Sequence, residues 1–255
     1  MTDPLPDPGV AVVTGASSGI GAATARSLAA RGFRVIAAAR RTELLDEVHA
    51  TEPLIESWPL DVTDQDSVDR LVEHVSGMDV TVLVANAGGA FDATTIADSD
   101  LDSWQQTLDV NVLGTVRTVR ALLPALIDSG RGLIVLMGST AGRVAYENGG
   151  SYVAAKHAVA AIAGTLRLEL SGHPVRVSEI APGMVRTDEF AKNRFGGDLD
   201  KAAKVYEGVA DPLSADDVAE SVAWIATLPA HFNVDLMVIR PVAQAAQHKV
   251  HRVPN

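Results

Sequence analysis

The stretch Thr14-Gly15-Ala16-Ser17-Ser18-Gly19-Ile20-Gly21 decides the fold. It follows an apolar run, Val10–Thr14, that reads as a buried strand, and it precedes helical periodicity over residues 22–31. Three glycines spaced Gly-x-x-x-Gly-x-Gly permit a tight strand-to-helix bend in which backbone N–H groups approach a ligand closely. The helix N-terminus adds partial positive charge, so the turn suits a pyrophosphate. A ligand-free glycine turn is the bland alternative, and the position directly after the first strand weighs against it.

Outward from this turn, strand-like runs recur at Arg34–Ala39, 57–60, Val80–Ala85, Gly132–Met137, 175–180 and Leu236–Ile239, with helical periodicity between them. Thr63 with Asp66 reads as one helix start and Ser214 with Asp217 as another, each with an acid in the first turn, and Pro229 closes the latter. A longer helical run covers 103–128. The alternation implies an α/β fold: one doubly wound, parallel, seven-stranded sheet with helices on both faces, forming a single domain over 1–255. Residues 189–211 have glycines, charges and no clean period, and read as a small substrate flap.

Composition narrows the function. Of the 255 residues 47% are hydrophobic but only 4% aromatic, so the core is built from Ala, Val, Leu and Ile, as suits parallel strands under Ala-rich helices. The absence of Cys excludes disulfides, a thiolate nucleophile and Cys-ligated metals, and no metal site is assigned. A net charge of −11 repels phosphate backbones and argues against nucleic acid as a partner. Residues 1–9 carry three prolines and no apolar segment, and no run of ~20 residues is free of polar breakers. A cytoplasmic protein without a membrane partner is expected.

The second strand ends Ala37-Ala38-Ala39-Arg40-Arg41. Where a ribose 2′-hydroxyl is bound, an acid usually stands near this point. Ala39 offers none, while Arg40 and Arg41 suit a 2′-phosphate through charge-assisted bonds, so NADP(H) is the favoured cofactor. Both arginines have an alternative as solvated residues at a helix start. Asp61 either accepts from an adenine amino group or shapes a turn.

Six motifs now stand in order: the glycine turn, Asn86-Ala87-Gly88, Asn111, Ser139, Tyr152-x-x-x-Lys156 and Pro182-Gly183. Together they resemble the short-chain dehydrogenase/reductase family in its compact, single-domain, Rossmann-type branch, over roughly residues 9–240. A lone Tyr-x-x-x-Lys recurs by chance; the ordered set is specific. Two small departures are Ala85, where a second Asn is common, and Val153-Ala154-Ala155 inside the Tyr–Lys interval. The resemblance implies hydride transfer between the nicotinamide and a small carbonyl/alcohol substrate.

Tyr152 and Lys156 are four apart and share a helix face. An ammonium beside a phenol is expected to favour the phenolate, with Tyr152 as general acid in reduction and general base in oxidation. Ser139, or its neighbour Thr140, would orient and polarise the substrate carbonyl. The resemblance assigns Asn111 a water that relays protons to Lys156, and Lys156 a bond to the nicotinamide ribose; a simple helix kink is the alternative for Asn111. Asn86 reads as a turn-shaping residue. Val62, Val185 and Thr187 complete the expected cofactor contacts, with Thr187 against the carboxamide.

The C-terminal third is similar to a narrower group, the NADP-dependent 3-hydroxy acid (serine) dehydrogenases and malonic semialdehyde reductases. The matching text includes Asp188-Glu189-Phe190, Asn193-Arg194-Phe195, Val205-Tyr206 and His251-Arg252. A 3-hydroxy acid needs a cation for its carboxylate. Arg143, Arg186 and Arg194 follow strands five and six, where such sheets bind ligands, and Arg194 is the first choice. The flap also carries Lys192, Lys201 and Lys204. Finally, 153–170 bears Ala or Gly on nearly all faces, which invites close helix approach and a homodimer or homotetramer.

Overall fold

The computed structural model describes residues 7–187, 189 and 193–253. Asp188, Phe190 and Lys192, and with them part of the flap reading, lie outside the described residues. Parallel strands β1 (Val10–Thr14), β2 (Arg34–Ala39), β3 (Ile55–Pro59), β4 (Val80–Ala85), β5 (Gly132–Met137), β6 (Val175–Pro182) and β7 (Leu236–Ile239) form one seven-stranded sheet in the order β3-β2-β1-β4-β5-β6-β7. The order reverses beside β1, between β1 and β4, which opens a crevice at the strands' carboxyl ends.

The strands are buried on both faces because helices cover both. Ala11, Val13, Val82, Val84, Leu133 and Val135 face α1 (Gly19–Ala29), α2 (Thr42–His49) and α8 (Ala215–Ala226). The alternate residues Val12, Leu83, Ile134 and Leu136 face α3 (Gln65–His74), α5 (Gly114–Asp128) and α6 (Gly150–Glu169). Fully buried leucines such as Leu71, Leu122 and Leu126 each contribute roughly 1.5–3 kcal/mol by removal from water.

Several boundaries differ from the sequence reading. β3 lies at 55–59 instead of 57–60, because this edge strand is framed by its pairing with Val35–Ala39 and not by its own apolar run. β6 continues to Pro182, where pairing with Ile239 extends it. The cap of α3 is Asp64, whose carboxylate accepts from Asp66 N; Thr63 instead donates to Asp61. Ser214 and Asp217 do form a reciprocal capping box. Beyond Asn193 the flap stretch holds a helix, α7 (Leu199–Lys204), capped by Asp198. A short hairpin, β8 (Gln244–Ala246) with β9 (Lys249–Val250), was not expected.

The long helix is broken as well. α4 (Leu101–Leu108) and α5 are joined by a π-helical turn, Asp109–Leu113. Such turns concentrate at functional sites, and this one carries Asn111. By length and composition the run Leu101–Asp128 is apolar enough to cross a membrane, but it carries Asp109, Arg117 and Arg120, the breakers noted in the sequence, and α5 packs as a core helix against β4 and β5.

Candidate active site

One cleft of about 660 Å³ runs along the carboxyl ends of the strands, from Arg40 and Arg41 past the glycine turn to Tyr152, Lys156 and Arg194. Every catalytic and cofactor-binding residue expected from the sequence lines it except Asn111, which is buried behind it. Gly15, Ser17, Ser18, Gly19, Ile20 and Gly21 form one end; Asp61, Val62, Asn86, Ala87 and Gly88 form its wall; Pro182, Gly183, Val185 and Thr187 face them.

The glycine turn is shaped for a close ligand. Gly15 has φ +68°, and a Cβ on Gly21 would lie 2.2 Å from Gly15 O, so neither position accepts a side chain. Ser18, the residue capping α1, makes no side-chain cap bond, which leaves the first N–H groups of the helix for a ligand anion. Asn86 braces the turn as expected: its Nδ2 donates to Thr14 O at 2.9 Å, and Asn86 N and Ala87 N both donate to Thr14 Oγ1 at 3.0 Å. Arg41 Nη2 donates to both Ser17 Oγ and Ser18 Oγ. A dinucleotide bearing a 2′-phosphate therefore fits: N–H donors for the pyrophosphate, guanidinium for the extra phosphate, no acid at Ala39. Asp61 lines the cleft and also shapes a turn, its Oδ1 accepting from Thr63 N and Thr63 Oγ1. Burial raises its pKa, but these bonds and the charges of Arg40 and Arg117 outweigh that and hold it below the usual value.

At the other end, Tyr152 and Ser139 are hydrogen-bonded, and Ser139 Oγ also accepts from Ala141 N at 3.1 Å. The Lys156 ammonium lies 5.5 Å from the Tyr152 ring centroid and donates to Met137 O at 2.9 Å. Burial decides the protonation of both. It pushes the Tyr152 phenol up, against the bond to Ser139 and the charge of Arg194, with Tyr146 adding to the rise. It brings Lys156 down to about 8, against the attraction of Glu179. Desolvation thus works against the phenolate that the Lys156 ammonium, together with a positive nicotinamide, is expected to favour.

Asn111 is bound on both sides of its amide. Nδ2 donates to Gly89 O and Thr107 O, and Oδ1 accepts from Gly89 N. It fixes the Gly88–Gly89 segment, where a Cβ on Gly88 would sit 2.4 Å from Asn111 Oδ1. An amide oxygen has two acceptor sites, so one remains for a relay water.

The three candidate arginines separate. Arg143 is committed to Glu179, whose Oε2 it bonds, and Arg186 stacks its guanidinium 5.4 Å from the Tyr206 ring centroid outside the cleft. Arg194 alone of the three lines the cleft, 5.2 Å from the Tyr146 ring centroid, and its charge acts on Tyr152. Sequence reasoning missed Glu179, which is 0% exposed on β6. Its Oε1 has no hydrogen-bond partner among the described residues, and a Cβ on Gly138 would lie 2.4 Å from it. Burial raises its pKa, while Arg143, Arg167 and Lys156 pull it down. The available signal was a lone acid in a strand buried on both faces. Tyr146, Gln244 and Gln247 also line the cleft unannounced; Gln244 Oε1 accepts from Met184 N at 2.8 Å, tying the C-terminal hairpin to the chain after β6.

Residues 9–195 match the sequence profile described as short chain dehydrogenase. An uncharacterized oxidoreductase of Mycobacterium tuberculosis (strain CDC 1551 / Oshkosh) is 53% identical over 241 residues, 93% of this chain and 92% of the relative. The NADP-dependent 3-hydroxy acid dehydrogenase of Salmonella typhi is 37% identical over 250 residues, 95% of this chain and 99% of that one. Among solved structures, the closed form of serine dehydrogenase complexed with NADP+ superposes with a TM-score of 0.90 at 35% identity, covering 96% of this chain and 100% of the other.

Proposed function

The chain belongs to the short-chain dehydrogenase/reductase family and is an NADP(H)-dependent oxidoreductase of carbonyl/alcohol pairs; from that premise we propose that its substrate is a small 3-hydroxy acid or the matching semialdehyde. The bound nicotinamide supplies or accepts the hydride. Tyr152 gives its hydroxyl proton to the carbonyl oxygen in reduction and takes it back in oxidation. Ser139 orients that oxygen. Lys156 holds the nicotinamide ribose, Asn111 supports a proton path behind it, and Arg41 with Arg40 takes the 2′-phosphate.

The observation that carries the substrate assignment is Arg194, a guanidinium that lines the same cleft as Tyr152 and lies 5.2 Å from the Tyr146 ring centroid. Likeness to a 3-hydroxy acid dehydrogenase over 95% of the chain supports it. A carboxylate held by Arg194 favours acids over neutral alcohols. Arg194→Ala is expected to lower kcat/KM for 3-hydroxypropionate and L-serine by ~10-fold or more, about 1.4 kcal/mol, mostly through KM, with neutral secondary alcohols little changed. Steady-state assays with both substrate classes check this. A general carbonyl reductase is favoured instead by the stacking of Arg194 on Tyr146 and Phe195, which suits a packing role; a uniform fall for both classes would mean that Arg194 orders the flap, and a wild type without preference for acids would leave only the general reductase reading.

The protein is further proposed to work in the cytoplasm as a homodimer or homotetramer. Support comes from apolar residues left exposed on α6, Ala154, Ala161 and Leu168, with Leu113 and Val116 on the π turn and α5. Light scattering at micromolar concentration is expected to give a multiple of 26.7 kDa; the monomer mass would refute the assembly.

A further inference from the structure

Arg41 does not wait with a free guanidinium. Its Nη2 is engaged by Ser17 Oγ at 3.1 Å and Ser18 Oγ at 3.0 Å. Its Nη1 donates to Glu189 Oε2 at 2.9 Å, an ion pair between residues 148 positions apart. Glu189 lines the same cleft as Ala39, Arg40 and Arg41. It stands two residues beyond Thr187, whose methyl carbon lies 3.5 Å from where a Cβ on Gly19 would sit. The chain after β6 thus crosses to the glycine turn and sets a carboxylate on the guanidinium that the turn presents.

A 2′-phosphate and a carboxylate seek the same planar fork, and each would be repelled by the other if both stayed. Arg41 is nearly half exposed and Glu189 more than a third exposed, so the pair is weak enough to exchange partners. We propose that Glu189 is a specificity-determining residue that competes with the cofactor's 2′-phosphate for Arg41. Phosphate binding displaces the carboxylate, and the exchange frees the link between the glycine turn and the chain after β6. Affinity for NADP+ is then set below what Arg41 alone would give, while NAD+, which has no phosphate to exchange, leaves the pair intact. The inference rests on the assignment of Arg41 to the 2′-phosphate.

Calorimetric Kd values for NADP+ and NAD+, taken on the full chain at low and high salt, test both. Glu189→Gln keeps the shape and removes the charge. It is expected to tighten NADP+ by ~3–10-fold at low ionic strength, with NAD+ changed less than ~2-fold and the gain shrinking at 0.5 M salt as screening grows. Arg41→Ala is expected to weaken NADP+ by ~10-fold or more. If Arg41→Ala weakens NADP+ but Glu189→Gln leaves it unchanged or weaker, competition is overturned and the phosphate site stands. Equal tightening of NAD+ and NADP+ overturns it too. If Arg41→Ala leaves NADP+ binding intact, the phosphate assignment falls and the competition falls with it.

Discussion

Tyr152→Phe is expected to lose at least ~100-fold in kcat, the usual scale for a general acid–base residue, with cofactor affinity nearly unchanged. The substitution removes one oxygen. The ring stays packed against Ala90 and Ala141, and Ser139 keeps its bond from Ala141 N. Because burial holds the Tyr152 hydroxyl protonated, no charge is removed from the site, and Tm should barely move. The raised pKa also fixes a sign. In the reduction direction the acid form is needed, and it persists to higher pH than an exposed phenol would allow, so the wild-type rate should stay flat through neutral pH. Turnover near the wild-type level in Tyr152→Phe would remove this residue from the mechanism.

The second large effect is on stability. Arg143→Ala leaves Glu179 buried on β6 with neither oxygen paired, and breaking a buried ion pair from one side costs roughly 3–5 kcal/mol. About 3 kcal/mol is expected, because the Arg143 side chain is 34% exposed and water already screens part of the pair. The pH dependence follows from Glu179. Its folded pKa lies above the ordinary 4.5, and loss of Arg143 raises it further. A carboxyl so shifted is comfortable protonated, below its unfolded pKa, and loses stability as pH rises through the folded value. The variant should be nearly as stable as wild type at pH 5 and clearly weaker at pH 8, by urea denaturation at both. The double change Arg143→Ala with Glu179→Gln should recover part of the loss at pH 8. Equal destabilisation at the two pH values would mean that Arg143 acts by packing alone.

Much of the site was legible in the chain. Gly15, Gly19 and Gly21 announce a bend that only small residues permit, and the structure leaves no room for a Cβ on Gly21. Tyr152 and Lys156 announce a shared helix face by their spacing, and both end in the cleft. Asn86 was readable as a brace and is one. The protonation of the pair was not legible, because desolvation depends on everything packed around it. Nor was the π turn at Asn111, which the periodicity of 103–128 runs straight through.

The sequence by itself determined the alternation of strands and helices, the glycine turn and the order of the motifs, because these depend on residues a few positions apart. Tertiary structure alone decided which charges meet. Arg143 was a candidate for substrate until the turn after Ser139 carried it onto Glu179, 36 residues away. Arg41 found Glu189 across 148 residues, and β3 took its frame from β2. Charge attraction acts on any neighbour that folding supplies, and no local pattern records which neighbour that is.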